Sequence, residues 1–193
     1  MNLVDRMVAP GATRAEAGLS FGAAFAGAAL ALATALQGGM PALPAALVTV
    51  IAFDLYGGAV VNATSSAKRH YHRPDRTVRH HLAFVAVHVQ PFLLAWAVPG
   101  FSWTAAVVVY GSVLAGAVCV TLVPAPLRRP AAFAATAFAL VPVTSLISVP
   151  PELAWFAPLL LIKLLLAHLV PPSASSPPAS GEQADTGRSR PEY

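Results

Sequence analysis

The amino-acid sequence predicts an all-α polytopic membrane protein with six transmembrane helices and both termini in the cytoplasm. Three observations carry this expectation. Hydrophobic residues make up 56% of the 193 positions and charged residues only 10%, with a mean hydropathy of +0.66. A soluble domain carries about 25% charged residues, so this much charge cannot cover a water-facing surface. Apolar stretches close to the ~20 residues needed to cross a bilayer recur along the chain. Finally, Lys and Arg occupy alternate connections, as the positive-inside rule requires.

Residues 1–17 mix charged and apolar side chains, so they read as a cytoplasmic segment and not as a cleavable signal peptide. The transmembrane domain is expected over 18–170. Its spans fall at 18–37, 43–62, 81–98, 104–123, 131–149 and 153–170. Gly or Pro marks the short loops 38–42, 99–103 and 150–152, which make successive helices antiparallel neighbours. Arg6 and Arg14 precede the first span, Lys68, Arg69, Arg73, Arg76 and Arg79 follow the second, and Arg128 and Arg129 follow the fourth. The three short loops carry neither Lys nor Arg. Trp96, Trp103 and Trp155 fall at the opposite ends of the spans, where an aromatic belt lies. Small residues repeat every four positions at Gly18, Gly22 and Ala26 and at Gly111, Ala115 and Cys119, a pattern that lets helix backbones approach in lipid. Pro91 and Pro142 should kink their helices, and Gln90 is placed to satisfy backbone freed at the first kink. Residues 171–193 are rich in Pro and Ser and read as a disordered cytoplasmic tail.

The pI of 9.7 does not call for a nucleic-acid partner, because the basic residues follow the membrane topology. The expected partners are the bilayer and its anionic head groups, with the oligomeric state open. One cysteine, Cys119, excludes a disulfide within the chain.

Ionisable residues between apolar walls mark a site by default, because each is costly in a membrane. Five of the six histidines lie between Asp54 and His88. At 1.5 Å per residue, Asp54 and Lys163 sit roughly 15 Å inside their spans and His88 about 10 Å from the inner end of its own. These three share a central layer, either as an ion pair between the second and sixth spans or as a proton relay. If the second helix continues to Arg73, Asp54, Ser65 and His72 share one face, flanked by Asn62 and Arg69. His81 and His88, seven apart, share a face of the third helix. Asp54 and His88 are then the candidate acid/base pair. Asn62, Ser65, Lys68, Arg69 and Lys163 are candidate substrate contacts, and His72, His80 and His81 are candidate ligands for zinc or iron. The chain has no HExxH motif and no cysteine pair, and the alternative is that the histidines and the basic loop contact lipid head groups. His168 and Glu152 read as interfacial.

Two functions of different kind follow. One is an intramembrane enzyme, metal-dependent or acid/base, acting on a lipid or isoprenoid-like substrate. The other is a small proton-coupled transporter that uses Asp54, Lys163 and His88. A non-catalytic scaffold subunit is a third reading.

Overall fold

A computed structural model describes residues 9–172, and every regular element among them is helical. The ends of the chain, residues 1–8 of the segment 1–17 and 173–193 of the proposed disordered tail, lie outside the described residues. Five helical segments are long and apolar enough to cross a membrane: Arg14–Gln37, Ala42–Ala63, Trp103–Leu122, Ala125–Leu146 and Pro151–His168. Large apolar side chains such as Phe25, Leu43, Leu122 and Phe138 are more than 60% exposed on their outer faces. Such a surface suits lipid and not water. The chain is a helical membrane protein.

Helix α1 (Arg14–Gln37) starts at a capping box. Thr13 Oγ1 accepts from the Glu16 amide at 3.1 Å, and Glu16 Oε2 accepts from the Thr13 amide at 2.9 Å. Gly39, at φ +70°, turns the chain into α2 (Ala42–Ala63), which packs along α1. Close contact falls at Gly27, where an added Cβ would strike the Tyr56 ring, and at Gly57, where it would come within 2.8 Å of Ala24. Gly18, Gly22 and Gly111 have nothing within 4 Å of an added Cβ, so the expected small-residue seams are not the packed ones.

The second helix does not run on to Arg73. Thr64 adopts an extended conformation and its hydroxyl caps a separate short helix, α3 (Ser65–Tyr71), by accepting from the Ala67 amide at 3.2 Å. A threonine side chain competes with the backbone in this way and favours a cap over a helix interior. Glu16 Oε1 also accepts from the Ser66 amide at 3.2 Å, tying the start of α3 to the start of α1. The face expected to join Asp54, Ser65 and His72 is therefore not formed.

The expected third span is two half-helices, α4 (Val78–Ala86) and α5 (Gln90–Ala97), interrupted at 87–89. Pro91 is the cause: its ring displaces the carbonyl four residues back, at Val87, and it offers no N–H. Side chains satisfy nearby carbonyls, with Tyr110 Oη donating to Ala86 O at 2.7 Å and His88 Nδ1 to Phe84 O at 2.7 Å. Gln90 does not serve the backbone as expected; its amide donates to Asp54 Oδ2 at 3.3 Å.

Helix α6 (Trp103–Leu122) packs on α5 and on α7 (Arg128–Val141), which passes at Pro142 into a π turn, Pro142–Leu146. The last crossing combines α8 (Phe156–Leu161) with a π segment, Ile162–His168. Apart from Lys163 and His168 it is almost wholly apolar, and it is the most enclosed of the five, 56% buried where the others reach at most 39%. A helix that is hydrophobic all round belongs in the core, and this one packs between α2 and α7.

Candidate functional site

The central helix carries a lysine, and that lysine needs a partner. Lys163 is 3% exposed and donates to Asp54 Oδ2 at 2.7 Å and to the Asp54 carbonyl at 3.2 Å. Gly58 makes the approach possible, because a Cβ there would lie 2.6 Å from Lys163 Cε. Asp54 keeps half of its side chain exposed. It looks into a cavity of about 420 Å³ that His88 and Asn62 also line, walled by Phe21, Phe53 and Phe84. Since a carbonyl can only accept, the bond from His88 to Phe84 O places a proton on Nδ1, so that in the neutral imidazole Nε2 carries the lone pair. Asn62 is 4% exposed and its Nδ2 has no hydrogen-bond partner among the described residues. The structure thus brings Asp54, Lys163, His88 and Asn62 to one cavity at the break between α4 and α5.

The remaining candidates lie elsewhere. Ser65 and Arg69 line a second cavity of about 650 Å³, with Arg129 and Phe133. Lys68 reaches its rim, but its ammonium donates to the carbonyls of Ala167 and Val170. It thereby closes the C-terminal end of the last helix, where unpaired carbonyls favour a cation. Burial lowers the Lys68 ammonium from the ordinary lysine value to about 8.

The proposed metal set is not assembled. Among the described residues, no group of three His, Cys, Asp or Glu side chains is arranged to hold a metal ion. His80 is exposed, and its Nδ1 sits 3.2 Å from the Thr77 amide and 3.0 Å from Thr77 Oγ1, capping α4. His72 and His81 stack with ring centroids 4.9 Å apart. The third ring beside them belongs to His168: His81 Nδ1 lies 3.2 Å from His168 Nε2, and His72 Nε2 donates to the His168 carbonyl at 2.9 Å. These bonds spend ring nitrogens on the protein itself. Burial, the largest cause, lowers the His72 imidazole below its ordinary value; Lys68 and Arg128 add to the effect, and the bond to His168 opposes it.

His168 is 2% exposed, so it is a core residue and not the interfacial one the sequence suggested. Its ring stacks on Phe84 at 4.0 Å, and His88 lies against the same phenyl ring at 4.9 Å. Phe84, with Tyr71 at 5.4 Å from the same imidazole, therefore stands between the cavity of Asp54 and the group of His72, His81 and His168. The missed signal was the helix type. In a π segment the i→i+5 bond brings residues five apart towards one side, which turns both Lys163 and His168 inward.

The chain matches no family model, no curated protein and no solved structure. Its function has to be argued from the chemistry of these side chains.

Proposed function

We propose that the protein is a six-span protein of the cytoplasmic membrane, with both termini inside, that acts as a small proton-coupled transporter. In this reading α4 and α5 together form one discontinuous crossing. The observation that carries the reading is the meeting of Asp54, Lys163 and His88 beside that break. Broken helices at membrane depth are a recurring way to place ion and solute sites, because unwound backbone is tolerated where it lines a cavity. Ionisable groups buried there serve as proton relays. Protonation of the Asp54 carboxylate would release Lys163, and His88 Nε2 is the acceptor beside them. Asn62 supplies an amide for a solute, and the three phenyl rings favour one with an apolar part.

A second reading, an acid/base enzyme acting on a lipid-like substrate, draws on the same phenyl-lined cavity and on the half-exposed Asp54 carboxylate. It needs no metal.

The test is charge displacement after a pH jump, recorded on solid-supported membranes carrying the reconstituted full-length protein. The wild type should give a transient current that Asp54→Asn abolishes and His80→Gln keeps. A wild-type current in Asp54→Asn would overturn the proposal.

A further inference from the structure

A smaller cavity, separate from that of Asp54, lies on the side of the molecule that carries the basic loop. It encloses about 240 Å³, lined by Arg76, Thr77 and Val78 before and at the start of α4, by Arg128 at the start of α7, and by His72 and His81. The Nε atoms of both arginines are buried and have no hydrogen-bond partner among the described residues. No carboxylate among the described residues lines the cavity. Two guanidinium groups on one small cavity repel each other, and a buried charged N–H such as these Nε donors costs more without an acceptor than a neutral one. Arg73, close by in sequence, is balanced differently: it pairs with Asp75 at 2.8 Å and stays partly exposed. Two helix N-termini, those of α4 and α7, add positive ends of the same sign.

We infer that this cavity is a phosphate site, in which Arg76 and Arg128 grip one phosphoryl group from two different helix starts. Guanidinium forks suit phosphate oxygens in geometry as well as charge. The enclosed volume lies below the ~300 Å³ at which cavities take a whole drug-sized ligand. It therefore fits a single phosphoryl group, from inorganic phosphate or from the exposed phosphomonoester of a lipid such as phosphatidic acid. The site clamps the loop before α4 to the start of α7, and it is independent of any role for Asp54.

The test uses the full-length protein in two settings. Inorganic phosphate is titrated calorimetrically into protein in neutral detergent, and binding is also measured in nanodiscs of phosphatidylcholine with and without phosphatidic acid. Arg76→Gln and Arg128→Gln should each weaken binding at least tenfold, while Arg129→Gln leaves it unchanged. Saturable binding of phosphate alone identifies a soluble source, and binding seen only with phosphatidic acid identifies a head group. A measurement on the unsubstituted chain guards against misfolding of the variants: phenylglyoxal modification of Arg76 and Arg128, mapped by mass spectrometry, should be suppressed by the same ligand, and that of Arg69 should not. Absence of binding in both settings, or equal weakening by Arg129→Gln, would overturn the inference.

Discussion

The cavity of Asp54 and the basic edge of Arg76 stand on either side of Phe84 and handle charge in opposite ways. In the cavity, a buried ammonium is neutralised within the fold, by a carboxylate 2.7 Å away on a neighbouring helix. At the edge, Arg76 and Arg128 share a cavity that no carboxylate among the described residues lines, and the imidazoles turn to one another and to a carbonyl. Apolar depth explains the first arrangement, since an unpaired charge there is expensive on any scale. Partial exposure of Arg76 and Arg128 permits the second, because water, salt or a phosphate can supply the missing counter-charge. The lesson is that a run of ionisable residues continuous in sequence need not form one site. A cap at Thr64 and a break at Val87 divide it in two.

The sharpest way to break this contrast is to remove the internal counter-charge. Asp54→Asn should destabilise the protein by about 3 kcal/mol, the lower end for breaking a buried pair, because Asp54 itself is half exposed. Adding Lys163→Met should recover most of that loss, since the orphaned ammonium goes with it. Thermal unfolding in detergent checks both, and an additive double variant would show that the pair does not hold α2 to the last helix.

The histidines come next. His168→Ala removes a ring stacked on Phe84 and strands His81 Nδ1, and should cost about 2 kcal/mol. His80→Ala loses only an exposed cap and should cost under about 1 kcal/mol. Equal effects would mean that the buried group is not a packed unit.

Glycine substitutions make a finer comparison. Gly58→Ala must displace Lys163 and should cost about 1–2 kcal/mol, whereas Gly111→Ala meets open space and should stay within about 0.5 kcal/mol. Melting temperatures of the two variants would decide.

The smallest expected effect is on pH. His72 is lowered in the folded state, so on acidification the unfolded chain takes up its proton first. Stability should therefore be intact above the ordinary histidine value and fall as the pH drops below about 6.5. The slope should be shallower in His72→Gln, and an unchanged slope would contradict a buried neutral ring.

Much of the helical organisation was legible in the sequence, because apolar length and punctuation by Gly and Pro are local signals. The pairing of Asp54 with Lys163 could also be read, from depth alone, since charges at one level in a bilayer have few partners. What could not be read was orientation. A face drawn through Asp54, Ser65 and His72 assumed one unbroken helix, and Thr64 ends it. A ligand set of His72, His80 and His81 assumed that neighbours in sequence converge, yet His80 turns back to cap its own helix and His168 arrives from the far end of the chain. Even apolar character around the last helix gave no moment from which to place Lys163 and His168, and its π geometry departs from the 3.6-residue period on which such placement relies.

The most direct measurement is a double-substitution cycle between Asp54 and His88, read as the charge displaced in pH-jump recordings. One shared centre predicts that Asp54→Asn, His88→Gln and the combined variant lose the same amount, because either change disables the whole. A substantial current retained in His88→Gln, against its loss in Asp54→Asn, would mean two independent titrating groups and would contradict a common cavity chemistry.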